Sequence, residues 1–151
     1  KYYEMLTKTF YRQGINIPHS KEFYLTLEEL FKKDKLFCLT AYCSSEIVGK
    51  AIFLKNEYQL IYFSGTSTSK GLKTASNSLL LWEAIKFASN NNIRVFDLGG
   101  IGMKSIDKFK KSFGGKNKEF MHFKKSPLFI RLAEVLIRYL MKKRLITFQL
   151  L

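Results

Sequence analysis

The chain has 151 residues, 46% of them hydrophobic and 15% aromatic, which suffices for one domain with a real core and is too little for two. Such aromatic content excludes a disordered tail. Twenty-six Lys and Arg against twelve Asp and Glu leave a formal charge of +14, an excess that concentrates anions such as RNA, a phosphorylated carrier or an anionic membrane surface, although a lysine-rich solvated surface gives the same count.

The first residues, KYYEMLTKTF, lack an initiator Met and already carry a helical pattern. That reads as one domain, residues 1–151, cut from a longer protein. The expected location is cytoplasmic, extending to the inner face of a membrane, because two cysteines that cannot pair fit a reducing compartment; no apolar run reaches transmembrane length. Tyr3, Leu6 and Phe10 predict a helix over residues 2–12 that ends at Gly14. Ser20 is an N-cap for a second helix with an apolar stripe of Phe23, Leu27, Leu30 and Phe31. LFCLTAYC (36–43), IVGKAIFL (47–54) and YQLIYF (58–63) are separated by short polar turns and predict an antiparallel meander. Cys38 and Cys43 lie an odd number of positions apart on one strand, so they face opposite ways, form no disulfide and are expected to be small buried hydrophobes.

GTSTSKGLKTASN (65–77) breaks the alternation and precedes a helix whose apolar side is expected to hold Leu81, Trp82, Ile85 and Ala88. IRVFDL (93–98) then reads as a strand reached by a crossover, and so parallel to its neighbour. A short helix is expected over 105–113, capped by Ser105 and stopped by Gly114 and Gly115. EFMHF (119–123) alternates like a strand. Ser126 and Pro127 start a last helix, 127–143, with Leu128, Leu132, Val135, Leu136, Tyr139 and Leu140 on one face and Arg131, Glu134, Arg138 and Lys142 on the other. A basic amphipathic helix of this kind suits core packing or docking on a membrane surface. ITFQLL follows as a further strand or a ragged end. The order predicts an α+β domain with a mixed sheet.

Three segments carry candidate chemistry. In the 65–77 loop, Gly65, Lys70, Gly71, Lys73 and Ser76 precede a helix N-terminus, where exposed N–H groups hold phosphate well; the bland alternative is a surface loop capping a core helix. FDLGG places Asp97, Gly99 and Gly100 at the C-terminal end of a strand, where mixed sheets tend to place ligands. Asp97 would position an amine or a lysine, or cap its own turn through backbone N–H groups. In FKKSFGGK, Phe109 and Phe113 face the core, while Lys110 and Lys111 offer mobile positive charge to a phosphate or a developing oxyanion. Lys104, Lys108, Lys110, Lys111, Lys116, Lys118, Lys124 and Lys125 are opposed only by Asp107 and Glu119 over that stretch, which makes either a solvated face or a polyanion platform. His19 and His122 are poor candidates for a histidine mechanism, and no serine or cysteine has a nucleophile setting such as GxSxG. Direct attack by an amine on a bound thioester or ester therefore suits the chain better than an acyl-enzyme. No metal-ligand set is present.

The run YFSGTSTS, ASNSLLLWEAIKFASNNNIRVFDLGGI and IDKFKKSFGG resembles the second GNAT-like domain of the FemABX aminoacyltransferases, which build peptidoglycan cross-bridges, and the related acetyltransferases of polysaccharide synthesis. The resemblance runs from KTFYRQG to FGG. It implies a GNAT acyl-CoA N-acyltransferase fold, with a donor-binding and catalytic half over about 35–123. It implies aminoacyl-tRNA or acetyl-CoA as a donor substrate without a tightly bound cofactor, and an amine of a cell-wall or surface-polysaccharide precursor as acceptor. Phe109 and Lys110 match the family's FK pair, which places Lys110 near the donor phosphate or the transfer centre; Asp97, Gly99 and Gly100 match its DLGG element. The family's first GNAT-like domain, which binds much of the acceptor, is not represented, and the common GNAT pattern of Arg or Gln followed by spaced glycines is absent from 65–77. Two other readings stand beside this one: a CoA-dependent N- or O-acetyltransferase acting on a polysaccharide or lipid, and a non-catalytic RNA- or membrane-binding module on a GNAT scaffold.

Overall fold

The computed structural model describes residues 2–100, 102, 104–119, 125 and 127–142. The chain divides into two compact units, Lys1–Gly115 and Lys116–Leu151. In the first, helices α1 (Tyr2–Gln13) and α2 (Lys21–Lys32) precede strands β1 (Leu36–Cys43), β2 (Glu46–Lys55) and β3 (Gln59–Ser67). A short α3 (Ser69–Lys73) leads to α4 (Ser76–Asn90), β4 (Val95–Asp97) and α5 (Lys104–Lys111). In the second unit the described helix is α6 (Leu128–Lys142). The positions 120–124, 126 and 143–151 lie outside the described residues, and with them the expected strand at EFMHF, the Ser126 cap, His122, Lys124 and the ITFQLL end.

The four strands stand in the order β1-β2-β3-β4. The first three pair antiparallel, and β4 pairs parallel to β3, as the meander and crossover predict. The turns explain themselves locally. Gly14 adopts φ +68 and closes α1, a conformation a side chain disfavours. Ser20 caps α2 by accepting the Phe23 amide at 3.4 Å. Asn56 Oδ1 accepts the amides of Tyr58 (2.9 Å) and Gln59 (2.7 Å) and so folds the β2–β3 hairpin.

Alternation sends Ala41, Ala51, Phe53 and Leu60 to one face of the sheet, where Leu80, Leu81, Ala84 and Ala88 of α4 seal them. Phe109 of α5 and the following Phe113 join this cluster, with ring centroids 5.3 Å apart, as their helical spacing predicts. Leu36 and Ile52 point to the other face, where Leu27 of α2 covers them together with Tyr2, Phe23 and Tyr24. Two buried hydroxyls tie α1 to the sheet there, Thr9 Oγ1 and Thr66 Oγ1 at 2.6 Å.

Several expectations shift. β3 continues through Ser67 rather than ending at Phe63. Trp82 is 54% exposed while Leu80 is 3% exposed, so the buried stripe of α4 is rotated from the expected one. Phe31 is exposed at the end of α2. Cys38 is exposed rather than buried because it borders a cleft on the α1/α2 side, with Tyr2 and Tyr24; Cys43 is half-buried against the α4-side cluster. α5 begins at Lys104, which places Ser105 inside the helix and not at its cap.

Candidate functional site

The opening between β3 and β4 defines the site. Only Gln59, Leu60 and Ile61 of β3 pair with β4. From Tyr62 to Ser67, β3 runs on with no strand on that edge among the described residues. Its register against β2 also slips between Ile52 and Phe53, with Phe63 as the extra residue. A bulge of this type bends the strand and re-aims its side chains. Here it sends both Phe63 and Ser64 to the α1/α2 face: Phe63 packs among the rings of that side, and Ser64 Oγ accepts the Tyr2 hydroxyl at 2.8 Å.

Beyond the end of β3 the chain enters α3 and α4. Thr68 Oγ1 accepts the Gly71 amide at 3.0 Å and so caps α3. Ala75, at φ 53 and ψ 35, precedes α4 and supplies no side-chain cap. The amides of Ser76, Asn77 and Ser78 make no backbone hydrogen bond among the described residues. An uncapped N-terminus on a 15-residue helix is a ready anion site, since free N–H groups and the helix dipole point the same way.

The candidate residues of the 65–77 loop divide by this geometry. Gly65 lies inside β3, opposite Ala51, and a Cβ there would collide with the Tyr62 hydroxyl. Gly71 is buried, and a Cβ on it would strike the Val48 carbonyl. Ser76 is 2% exposed, its hydroxyl 2.7 Å from Ser67 Oγ. These three therefore serve the packing of the loop on β2 and β3. Lys70 Nζ holds Glu46 at 2.9 Å, and that hydrogen bond raises its pKa. Lys73 is exposed and makes no ion pair among the described residues.

The DLGG segment folds as a self-capping turn. Asp97 Oδ1 accepts the Gly99 amide at 2.7 Å, and Oδ2 accepts Gln59 Nε2 at 3.3 Å. Gly99 takes φ +76 and passes close to the Tyr62 carbonyl, which a side chain would obstruct. Lys110 reaches back from α5 and donates to the Gly100 carbonyl at 2.6 Å. Burial lowers its pKa, opposed by the charges of Asp107 and Asp97. Asp97, Gly99, Gly100 and Lys110 are thus one unit at the lip of the opening, whereas Lys111 is exposed on the outer side of α5. The neighbouring Asp107 carboxylate accepts the Gly102 amide at 3.0 Å.

Sequence reasoning missed the groups on the α1/α2 face. Arg12 Nη2 donates to the Ser67 carbonyl at 3.1 Å, one strand end from α4. Tyr2, Tyr24 and Ser64 meet beside the bulge, with burial raising the pKa of both tyrosines. His19 stacks on Phe23 at 4.2 Å. A bulge leaves no local signal in an alternating run, so nothing in YQLIYFSG announced that Phe63 and Ser64 share a face. Among the described residues no group of His, Cys, Asp and Glu forms a metal site, and no helix is long and apolar enough to cross a membrane.

The model of the acetyltransferase (GNAT) domain family matches residues 1–111, which covers every helix and strand of the first unit. Among curated proteins none matches the chain in sequence. Solved structures share the fold at low identity. The aminoglycoside acetyltransferase AAC(6')-Iy, bound to a bisubstrate analogue of CoA and acetylneamine, is 12% identical with a TM-score of 0.64, over 83% of this chain and 89% of that one. An aminoglycoside acetyltransferase from an uncultured soil metagenomic sample, in complex with trehalose, is 13% identical with a TM-score of 0.62, over 83% and 85%. A ribosomal-protein-alanine N-acetyltransferase from Brucella melitensis biovar Abortus 2308 is 12% identical with a TM-score of 0.58, over 82% and 89%.

Proposed function

Since the chain belongs to the acetyltransferase (GNAT) domain family and is an acyltransferase domain, we propose that it takes its acyl group from an acyl-CoA and passes it directly to an amine. The observation that carries this reading is the uncapped N-terminus of α4 beside the unpaired edge of β3. The pyrophosphate of the donor sits on the amides of Ser76, Asn77 and Ser78, and Lys73 adds positive charge at the rim. The pantetheine arm runs along β3 past Ile61, where the backbone has hydrogen-bonding groups that no strand uses. CoA in the AAC(6')-Iy complex supports this choice of donor.

At the thioester, the lone pair of the neutral amine attacks the carbonyl carbon. The tetrahedral intermediate collapses with cleavage of the C–S bond, the amine gives up a proton, and the thiolate takes one. Cys38 and Cys43 lie on β1, across β2 from the opening, so neither is placed to form an acyl-enzyme. Orientation and backbone donors supply the catalysis in such a scheme. Asp97 and Lys110 act here as positioning residues that hold the Gly99–Gly100 lip against β3, and Lys111 faces the solvent side of the donor.

The resemblance to FemABX proteins supports a second reading, with aminoacyl-tRNA as donor and a cell-wall precursor as acceptor. The observation in its favour is the net charge of +14, with Lys104, Lys108 and Lys111 exposed on α5. Titration separates the two. Acetyl-CoA is expected to bind with micromolar affinity, and Ser78→Glu, which suits a helix N-terminus but repels a phosphate, is expected to weaken it by about ten-fold or more at unchanged thermal stability. Equal affinity in the variant would sink the assignment of the α4 site. A preference for charged over uncharged tRNA, with no CoA binding, would establish the second reading instead.

A further inference from the structure

The second unit presents large apolar side chains to solvent. Leu128, Phe129, Leu132, Val135 and Leu136 of α6 are between 58% and 71% exposed. They recur at i, i+1, i+4, i+7 and i+8, which is one side of a helix. Single exposed leucines are ordinary on a protein surface, whereas a contiguous apolar stripe marks a place where something docks. The charge of the same unit narrows what that is. From Lys116 to Leu151 the sequence holds nine Lys and Arg against two Asp and Glu, which puts half of the chain's +14 in that segment. Lys116, Lys118 and Lys125 are exposed, and Arg131, Arg138 and Lys142 fall at helical positions outside the apolar stripe.

Few surfaces complement both features. A second copy laid stripe to stripe would bring two strongly basic segments together, and like charges repel. The first unit is basic too, with seventeen Lys and Arg against ten Asp and Glu. RNA would neutralise the cations, but it recognises proteins through phosphates and base stacking, and four aliphatic side chains offer neither. An anionic lipid surface answers to both. The headgroup–acyl boundary takes up Leu, Val and Phe, and the lipid phosphates hold Lys and Arg, whose long stems let the charge stay in the wet layer. Length decides how the helix would lie. Its 15 residues span about 22 Å, short of the ~30 Å of a hydrocarbon core. It therefore suits the plane of the interface and not a crossing.

We propose that α6 docks the protein on an anionic membrane surface, with Leu128, Phe129, Leu132, Val135 and Leu136 buried at the acyl boundary and the basic residues of its unit on the lipid phosphates. The docking is independent of the acyl-CoA reading, since it uses no residue of the α4 or β3 site.

The test floats the whole chain with vesicles of phosphatidylcholine, with and without phosphatidylglycerol. Binding is expected only where phosphatidylglycerol is present, and it weakens as salt rises. Leu132→Gln and Leu136→Gln keep a good helix former and are each expected to lower the partition coefficient about ten-fold or more, while Leu132→Met holds it. Trp82 is the only tryptophan, so Phe129→Trp in a Trp82→Phe background reports on α6 alone; its emission is expected to move to the blue on the anionic vesicles. Equal binding to phosphatidylcholine alone, or unchanged binding of both Gln variants, overturns the proposal. So does RNA binding without vesicle binding, which makes the segment a nucleic-acid surface. Self-association in sedimentation that Leu136→Gln abolishes gives the stripe to a second copy instead. A fall in the urea midpoint of the Gln variants, followed through Trp82, gives it to the first unit, and either result overturns the membrane assignment.

Discussion

On the α4 side of the sheet, Phe53, Leu60, Leu81 and Ala84 are at most 1% exposed and interlock with Phe37, Tyr62, Phe87 and Phe96. On the α1/α2 side the buried apolar cluster is Leu27, Leu36 and Ile52, at 9%, 4% and 7%. Beside it lies a cleft of about 360 Å³ lined by Tyr2, Tyr24, Cys38, Lys50 and their neighbours. Polar pairs, Tyr2–Ser64 and Thr9–Thr66, cross this second side, while the first has such a pair, Ser67–Ser76, at its edge. The same four strands thus have a closed face that fixes the geometry and a second face that is aromatic and carries a cleft. Stability comes mainly from the first, because interiors gain from dense apolar packing. The second offers what a ligand site needs, concavity and a few polar groups.

The largest break in this comparison comes from the closed face. Leu80→Ala deletes a side chain 3% exposed between α4 and the sheet and is expected to cost about 2–5 kcal/mol. Its α1/α2-side counterpart, His19→Ala, touches an exposed ring and is expected to stay within roughly 0.5 kcal/mol. Urea unfolding of both variants compares them directly. Similar losses from the two would mean that the α1/α2 side is as much core as the other.

The closed face is also the more legible in the sequence. The alternation of LFCLTAYC and IVGKAIFL places the strands within a residue of their observed ends, and the Phe109–Phe113 pair announces its own packing. The helix expected after the 65–77 loop differs from α4 only in phase: SLLLW offers several adjacent apolar residues, and periodicity alone does not say which of Leu80 and Trp82 turns inward. The second face is not legible, for a physical reason. The bulge at Phe63 puts two successive residues on one side, so the two-residue period is lost where the site begins, and Gly65, Thr66 and Ser67 then read as loop. The self-capping of Asp97 on Gly99 is legible as an alternative, since an Asp before two glycines can bond the amide two residues on. The reach of Lys110 to the Gly100 carbonyl depends on the placement of α5, which no local pattern records.

A pH experiment sharpens the contrast further. Burial pushes the pKa of Tyr62, on the closed face, up to about 12; Tyr2, on the second face, is also raised by burial, with its hydrogen bond to Ser64 acting against the shift. A raised folded pKa means that the neutral phenol is favoured in the native state. The stabilisation is therefore fully present below the unfolded value of about 10 and is lost as pH rises through the folded value. Stability is expected to fall between about pH 10 and 12, with Tyr62 contributing about 3 kcal/mol at most. Tyr62→Phe should reduce the slope of the urea midpoint against pH in that window. An unchanged slope would show that the phenol meets solvent and that the closed face is not sealed at the β3 edge.

The smallest effect tests what the closed face imposes on the site. Packing of Ser76 beneath Gly49 and Gly71 fixes where α4 starts, and the chain enters it through Ala75 at φ 53. A non-glycine residue in that left-handed region costs about 1–2 kcal/mol. Ala75→Gly removes the strain but gives back about 0.4–1 kcal/mol through the greater freedom of the unfolded chain. The net expectation is a gain of roughly 0.5 kcal/mol, seen as a small rise in the urea midpoint. Acetyl-CoA affinity should be unchanged, because the first-turn amides of α4 keep their direction as long as Ser76 stays wedged. If the variant instead loses donor affinity at equal or greater stability, Ala75 itself, and not the packing beneath it, aims those amides, and the division of labour between the two faces is less clean than the buried residues alone suggest.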